Sequence, residues 1–574
     1  MAVAADDKLR SMRPVRGLMM IVDFARRSHA RAVMVLAVVA LLNFLPGFFA
    51  IPPTDRDESR FAQATKQMIE TGDLIDIRFQ ETTRYKKPVG IYWLQAGAVK
   101  AGQWLGVRDA LTTIWLYRFP SLIGALAAVL LTYWAALAFV TRGAAVLAGL
   151  MMATCILLTV ESRIAKTDAC LLITAVAVMG AMARAYLPEQ RVRLVGRAAI
   201  TVPAIFWTAL AAGVLLKGPV VPMIVLLTAG TLVAIDRSAR WLLALRPLLG
   251  GAWAAVLVLP WFIAITVRAG DGFYAESIGQ DLLSKLFQGQ ESHGAPPGYY
   301  VLLFWVTFWP AATLAALAAP SVFAARREPG AKFLLAWIVP SWIVFELVVT
   351  KLPHYVLPLY PAIAILIAGV VSARVLSSNP WLERGTIWWF IVPTLLGLAG
   401  IGALIVIGRQ FGFIAWLLIG ASIVMGFRAW QLYRNDGAEL ALLRGFAASL
   451  LIVAALLGQV VPSLNTPFPS KTLAGIVRDS GCKNPVAATA GYGEASVVFL
   501  MGTATRHTDG AGAAEFLRGG ECRFAFVEAR QERSFAQRAE AIGLRYSSGP
   551  RIDGFNMGSG RPVTIAVYRS ERQP

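Results

Sequence analysis

Long apolar stretches separated by short polar ones fill the chain of 574 residues as far as residue 462. A helix of about 20 apolar residues crosses the roughly 30 Å hydrocarbon core of a bilayer. Thirteen segments have this character: 31–51, 119–140, 143–160, 169–187, 198–216, 218–235, 249–267, 299–324, 332–350, 355–373, 386–407, 413–428 and 443–462. The pattern therefore predicts a mainly α-helical, polytopic membrane domain over residues 31–462.

Basic residues flank these segments unevenly. Residues 1–30 are rich in arginine, and so are alternate later loops, such as the one with Arg191, Arg193 and Arg197. Basic flanks remain on the cytoplasmic side of the membrane. We therefore expect a cytoplasmic N-terminus, an uncleaved first segment and, after thirteen crossings, a periplasmic C-terminal end in the inner membrane of a Gram-negative cell.

The pattern changes at residue 463, where charged residues, glycines and short β-prone runs replace the apolar segments. The runs at 497–500, 524–527 and 563–568 predict strands, so residues 463–574 are predicted to form a small soluble α/β domain. Cys482 and Cys522 both lie in it, and a periplasmic location permits a disulfide between them.

Composition supports the membrane class, because 57% of residues are hydrophobic and only 15% are charged. The formal net charge of +20 is spread over many loops, which indicates topology and contact with anionic lipid head groups. This distribution disfavours nucleic-acid binding.

The predicted topology sends several polar segments to one outer face. The loop 52–118 carries an acidic and basic cluster after the first segment, and residues 161–168 hold a second cluster. Lysines stand beside proline at Lys217-Gly218-Pro219 and Lys351-Leu352-Pro353. A lone lysine at a helix end commonly snorkels to the interface. Carboxylates that accompany the cations favour a site for an anionic, membrane-borne ligand, where cations hold a phosphate and a carboxylate deprotonates a hydroxyl.

These residues resemble the lipid-phosphate-sugar-dependent membrane glycosyltransferases of the aminoarabinose transferase and protein O-mannosyltransferase group, which have the GT-C fold. The resemblance covers residues 30–375 and rests on Asp57-Glu58-Ser59-Arg60-Phe61, Tyr85-Lys86-Lys87-Pro88, Asp168, Lys217-Gly218-Pro219 and Lys351-Leu352-Pro353-His354-Tyr355. Two positions depart from the family pattern: Lys86 stands where aminoarabinose transferases commonly have glutamate, and Phe61 stands in place of tyrosine.

The resemblance implies transfer of a sugar, with inversion, from a polyprenyl-phosphate (undecaprenyl-phosphate) donor to lipid A, lipopolysaccharide or another envelope glycan. Asp57 is then the general base, and Asp168 is the second catalytic candidate. The predicted substrate-binding residues are Arg60, Phe61, Lys87, Lys217, Lys351 and Tyr355. Glu58 is interpreted as a charge that interacts with the helix dipole.

In some relatives the glutamate at position 86 helps to hold a metal ion, so Lys86 predicts that no metal is essential. Glu291 and His293 are weak metal candidates, and no cofactor is predicted. Two alternatives stay open: a protein O-glycosyltransferase of the same fold, and a transporter or flippase of lipid-linked sugars. Against a transporter stand the absence of a sequence repeat and the near absence of charge within the segments, where Glu346 is the exception. The sugar and the acceptor are not readable from the sequence.

Overall fold

The computed structural model describes residues 17, 19–277, 279 and 294–571. Residues 19–26 are helical. The longer helices of the predicted membrane domain follow: α1 His29–Phe44, α2 Asp57–Thr71, α3 Gly90–Trp104, α4 Ile114–Ala136, α5 Arg142–Thr154, α6 Ile156–Glu161, α7 Asp168–Tyr186, α8 Ala198–Lys217, α9 Val220–Asp236, α10 Pro247–Ala269, α11 Tyr299–Thr307, α12 Ala312–Ala324, α13 Pro329–Leu347, α14 Tyr360–Ala373, α15 Trp388–Gly402, α16 Phe413–Gln431 and α17 Ala438–Ala455.

Shorter elements connect these helices. They are the α-helical turns Pro188–Arg191, Gly272–Tyr274, Pro380–Arg384, Tyr433–Asp436 and Val461–Ser463, the 3₁₀ turns Ala110–Thr112, Arg240–Leu245, Pro353–Leu359 and Gly385–Ile387, and the π-helical turns Ala403–Ile407 and Leu456–Val460. A two-stranded sheet, β1 Arg78–Phe79 and β2 Thr82–Thr83, lies between α2 and α3.

Each of the thirteen predicted segments contains helix. Nine helices in the described part of the chain are long and apolar enough to cross a membrane, and a bent pair raises the number to ten. The three remaining segments contain the shorter apolar helices α1, α5 and α9. The predicted class, a mainly helical polytopic membrane protein, is confirmed.

The segment 299–324 is the bent pair and differs from a straight span. Its two halves, α11 and α12, are inclined by 119°. Pro310 lies between them, and a proline has no backbone N–H to continue the hydrogen bonding of α11. This segment therefore forms a broken span or a re-entrant pair of helices instead of one straight helix.

The C-terminal part contains a five-stranded sheet in the order β4-β3-β5-β7-β6. Strand β3 is parallel to β4 and β5, whereas β7 is antiparallel to β5 and β6. The elements are α18 Pro469–Asp479, β3 Val486–Ala490, α19 Ala495–Met501, β4 Arg506–Thr508, α20 Gly510–Arg518, β5 Arg523–Glu528, the 3₁₀ turn Ala529–Gln531, α21 Glu532–Ala541, β6 Tyr546–Asn556 and β7 Arg561–Ser570.

Two of the three β-prone runs form strands, β5 and β7, but the strand prediction for residues 497–500 is wrong. That run belongs to α19, where Val497, Val498 and Phe499 are buried. Burial on a helix that contacts α2 overrides the β propensity of these residues. The predicted disulfide between Cys482 and Cys522 is present, with a Cα–Cα distance of 5.8 Å.

Helix α2 lies between the membrane helices and the C-terminal domain. The Lys66 ammonium donates to the carbonyl of Phe499 at 3.0 Å, and the Gln63 amide donates to the Thr503 hydroxyl at 2.8 Å. Residues 90–104 of the same loop form α3, which packs on α2 and α4. Helix α2 of the first loop therefore packs against the C-terminal domain and against α3. These contacts fix the loop that carries part of the site described next.

Candidate active site

Two cavities meet at one end of the membrane helices. The first, of about 500 Å³, is mostly apolar and is lined by side chains such as Leu171, Met223, Phe262 and Phe345. The second, of about 450 Å³, is more polar and contains Asp57. The residues that line both cavities are Lys86, Lys87, Lys217, His354 and Tyr355. Three lysines, with His354 and Tyr355, therefore lie between the apolar cavity and the polar one.

The polar cavity carries an excess of positive charge. Its lining contains the six cations Arg56, Arg84, Lys86, Lys87, Lys166 and Lys217 but only the three carboxylates Asp57, Glu161 and Asp168. Such a cavity attracts a phosphate and stabilises negative charge that develops on a leaving group.

Asp57 lies at the start of α2, and its side chain is exposed to the polar cavity. Phe61, one turn further along α2, lines the same cavity, and its ring lies 5.4 Å from that of Tyr92. The two predicted site residues Asp57 and Phe61 thus share the helix face that the sequence spacing indicates. Arg60 does not line the cavity in the described structure; it lies close enough to Asp55 to favour its ionised form.

Glu58 faces away from the cavity, as expected, but its interpretation as a dipole charge is incomplete. The Arg118 guanidinium donates to both of its carboxylate oxygens, at 2.7 and 2.8 Å, and the N–H groups of Thr54 and Ala165 donate to them as well. Burial opposes ionisation, yet Arg118 and Thr54 hold the pKa of Glu58 below its ordinary value. Glu58 therefore fixes the first loop to α4 and to the loop before α7.

Asp168 begins α7 and is buried among cations. Lys217 donates to its Oδ1, and the Lys166 ammonium lies 3.7 Å from its Oδ2. Lys166 is thus one partner of Asp168, whereas the nearby Arg163 donates to the carbonyls of Thr159 and Asn43. Asp168 holds two ammonium groups in place.

Lys217 ends α8, and the chain breaks there because Gly218 adopts φ 59° and ψ −125°. The Lys217 ammonium also lies 5.2 Å from the centre of the Tyr355 ring. Lys87 donates to the carbonyl of Lys86 at 2.8 Å and lines both cavities. Three predicted substrate-binding residues, Lys87, Lys217 and Tyr355, therefore converge on the junction of the cavities.

Lys351, also predicted to bind substrate, lies between two residues that line the polar cavity, Thr350 and Leu352. It is buried, lines neither cavity in the described structure, and donates to the carbonyls of Glu346 and Val348 at the end of α13. Glu346 in turn accepts from the N–H groups of Gly298, Tyr300 and Val301 before and within α11. Both residues satisfy backbone groups at helix ends.

Two functional candidates were missed as site residues although both stand in the motifs noted above. Nε2 of His354 lies 3.6 Å from Asp168 Oδ2. Glu161 forms an ion pair with Lys166, with 3.0 Å between Oε1 and Nζ. A polar side chain beside an apolar segment was the available signal for both. The weak metal candidates Glu291 and His293 lie outside the described residues.

Glu161, Asp168 and His354 also form a group with metal-ligand chemistry, since their ligand atoms lie within 4.8 Å of one another. The Lys166 ammonium already lies 3.1 Å from His354 Nδ1 and 3.0 Å from Glu161. Two lysines neutralise the two carboxylates, so a divalent cation has to displace an ammonium group. The expectation of no essential metal stays a prediction.

Comparison with known proteins places this architecture. No protein-family model matches the chain. It is 27% identical over 443 residues to an undecaprenyl phosphate-alpha-4-amino-4-deoxy-L-arabinose arabinosyl transferase of Edwardsiella ictaluri, covering 74% of this chain and 76% of the relative. The identity to a protein of the same name from Pectobacterium carotovorum is 26%, covering 78% and 80%.

Among solved structures, ArnT from Cupriavidus metallidurans bound to undecaprenyl phosphate superposes with a TM-score of 0.71 at 17% identity, covering 93% of this chain and 97% of ArnT. The archaeal oligosaccharyltransferase AglB from Archaeoglobus fulgidus gives a TM-score of 0.50 at 12% identity, covering 92% of this chain and 69% of AglB. The GT-C fold and the resemblance to the aminoarabinose transferases are confirmed.

Proposed function

We propose that this chain, a membrane glycosyltransferase of the GT-C fold, moves a sugar from an undecaprenyl-phosphate donor to an acceptor on the periplasmic side of the inner membrane. The observation that carries the proposal is the shared wall of Lys87, Lys217 and Tyr355 between an apolar and a polar cavity. A lipid phosphate has this pair of properties, an apolar chain and an anionic end.

In the proposed complex the isoprenoid chain occupies the apolar cavity and the phosphate meets Lys87 and Lys217. As the bond between the anomeric carbon and the phosphate oxygen breaks, negative charge grows on the phosphate. Fixed cations stabilise that charge, and one such donor is commonly worth a factor of about 10²–10³ in rate. Asp168 keeps Lys217 and Lys166 in place for this purpose.

Asp57 is the proposed general base. Its carboxylate is exposed in the polar cavity, whereas Glu161 and Asp168 are buried and ion-paired. An acceptor hydroxyl transfers its proton to Asp57 while its oxygen bonds to the anomeric carbon on the face opposite the phosphate, which inverts that carbon. An acceptor that is itself a phosphate needs no base, and Asp57 then acts by its charge alone.

The test compares cells with the wild-type protein and cells with Asp57→Ala at matched membrane abundance. Mass spectrometry of lipid-linked sugars, lipid A, other envelope glycans and periplasmic glycoproteins is the readout. The expected result is loss of one sugar from one acceptor and accumulation of the polyprenyl-phosphate sugar. The matched control is Asp73→Ala, which removes a carboxylate of the same loop that lies 3.3 Å from Arg268 instead of lining the polar cavity.

An unchanged set of glycans, with the variant well folded, contradicts the role of Asp57. Loss of sugar from proteins alone instead supports the protein O-glycosyltransferase alternative. The transporter alternative receives little support, because Glu346, the charged residue within a predicted span, serves the backbone of α11.

We further propose that the N-terminus is cytoplasmic and that both the active site and the C-terminal domain are periplasmic. The basic N-terminal segment and the Cys482–Cys522 disulfide support this orientation. Reporter-enzyme fusions after residue 571 test it: periplasmic activity is expected, and cytoplasmic activity contradicts it.

A further inference from the structure

The backbone immediately before Asp57 adopts a conformation that residues with a Cβ rarely take. Arg56 has φ 66° and ψ −119°. Such a conformation persists only where the surroundings impose it, and it is found preferentially at functional sites. The question is which part of the molecule imposes it.

The C-terminal domain holds Arg56 from one side. The Arg56 guanidinium donates to the carbonyl of Met557 at 3.2 Å and to that of Gly558 at 3.4 Å. These two residues lie in the turn that joins β6 to β7. The turn is fixed in its place because the N–H of Gly558 donates to the carboxylate of Glu494 at 2.7 Å.

The same domain holds Asp55, the residue before Arg56. The buried Asp55 carboxylate accepts a hydrogen bond from the N–H of Ser496 at 2.8 Å. Ser496 lies at the start of α19, directly after the turn that follows the parallel strand β3. In α/β domains this edge of the sheet is where ligands commonly bind. Here a side chain of the membrane domain occupies it.

We propose that the C-terminal domain acts as a clamp on Asp55 and Arg56 that positions Asp57 for catalysis. The inference rests on the proposed function, in which Asp57 is the base. On the other side of Asp57, Glu58 is fixed by Arg118 and Thr54. The exposed carboxylate of Asp57 is thus oriented by its neighbours in the chain. Asp55 and Arg56 are held by the soluble domain, and Glu58 is held by Arg118 of the membrane helices.

The kinetic test compares Asp55→Ala with Thr503→Ala. Thr503 ties the same domain to the same helix through Gln63 and Glu70 without touching residues 55 or 56. A misplacement near 1 Å costs up to about 10²-fold in rate. We expect Asp55→Ala to lower kcat about 10-fold or more with the donor KM within about twofold, Thr503→Ala to change kcat less than about twofold, and Asp55→Asn, which can still accept from Ser496, to restore most of the activity.

The donor for this assay is undecaprenyl-phosphate-linked 4-amino-4-deoxy-L-arabinose, the sugar in the name of the relatives. The acceptor is lipid A, one of the acceptors expected for the proposed function. Equal kcat values in Asp55→Ala and Thr503→Ala overturn the clamp. Absence of transfer by the wild-type protein counts against that donor and acceptor, and the clamp is then decided by a second measurement that needs no substrate.

That second measurement is hydrogen exchange in detergent-solubilised full-length protein. Peptides that cover residues 54–60 should exchange at least about tenfold faster in Asp55→Ala than in Thr503→Ala, because only the first substitution releases the strained turn. A domain-side variant, Gly558→Ala, should have the same effect, since a Cβ there lies 2.5 Å from Glu494 Oε1. Unchanged exchange of this segment in both Asp55→Ala and Gly558→Ala overturns the proposal.

Discussion

The starts of α2 and α7 carry the same sequence signal, an aspartate at the first position of a helix in the polar cavity. Asp57 is exposed there, whereas Asp168 has only 5% exposure and lies between Lys166 and Lys217. The difference comes from residues far along the chain, because α8 and the turn at Pro353–Leu359 supply the partners of Asp168. An exposed carboxylate can accept a proton, and a buried, compensated one holds cations in place.

The substitution Asp57→Asn tests the role of the exposed carboxylate. We expect the transfer rate to fall about 10²–10⁴-fold, the usual contribution of a general base, with thermal stability unchanged because the side chain is exposed. Single-turnover transfer and a thermal unfolding curve in detergent give the two quantities. Asp73→Asn is the control, and a comparable rate loss in that variant counts against a special role for Asp57.

The substitution Asp168→Asn tests the role of the buried carboxylate. It leaves Lys217 and Lys166 without one of their counter-charges, and losing one partner of a buried ion pair typically costs about 3–5 kcal/mol of stability. Stability and activity should therefore fall together, in contrast to Asp57→Asn. The double variant Asp168→Asn with Lys217→Met should recover stability but not activity. Full stability of Asp168→Asn with loss of transfer is the result that contradicts this assignment.

Lys217 and Lys351 are both predicted to bind substrate, yet they have different surroundings. Lys217→Met should lower kcat about 10²-fold, because Lys217 lies at the junction of the cavities. Lys351→Met removes hydrogen bonds to two carbonyls at the end of α13, so we expect a stability loss of about 1–3 kcal/mol and nearly normal kcat in the folded fraction. Steady-state kinetics with matched unfolding curves distinguish them. A large loss of kcat in Lys351→Met with unchanged stability instead supports a role of Lys351 in substrate binding.

A pH effect is expected from Asp55. Burial and the nearby Glu494 raise the pKa of Asp55 from 3.8 to about 7, against the opposing effects of Ser496 and Arg60, and Tyr492 is a further titratable group close to it. Because the folded-state pKa is raised, its stabilising contribution is complete below pH 3.8 and is lost as the pH rises through 7. Arg56, the next residue in the chain, carries a further charge beside this contact.

The measurement is the unfolding temperature of the wild-type protein and Asp55→Asn between about pH 5 and pH 8.5, a window that brackets the raised pKa. The wild-type value should fall relative to that of the variant as the pH rises. Parallel curves mean that Asp55 does not titrate in this window.

Removal of divalent metal should have the smallest effect. Lys166 and Lys217 already neutralise Glu161 and Asp168, so we expect the transfer rate to stay within about twofold after EDTA treatment and gel filtration. Metal analysis of the treated protein confirms the removal. A large loss that zinc or magnesium restores assigns the group of Glu161, Asp168 and His354 to a metal ion.

The sequence predicts what depends on local pattern. Apolar length locates all thirteen helical segments, and the motif resemblance brings Asp57, Asp168, Lys87, Lys217 and Tyr355 to one place. Partners that meet through the fold are not readable in this way. The pairing of Glu58 with Arg118 joins residues 60 positions apart, and that of His354 with Asp168 joins the turn Pro353–Leu359 to the start of α7. Lys351 has the residue type and position of a ligand contact, yet its ammonium group donates hydrogen bonds to backbone carbonyls.

The contact between Arg56 and Met557 spans 501 positions of the chain and has a consequence for biogenesis. At a synthesis rate of about 5–20 residues per second, the segment of the proposed base Asp57 emerges roughly 25–100 seconds before the turn that contacts it. During that interval the membrane helices can insert while the motif still lacks its final support. An unfinished or truncated chain therefore reaches the membrane without the contact that, under the proposed clamp, positions Asp57.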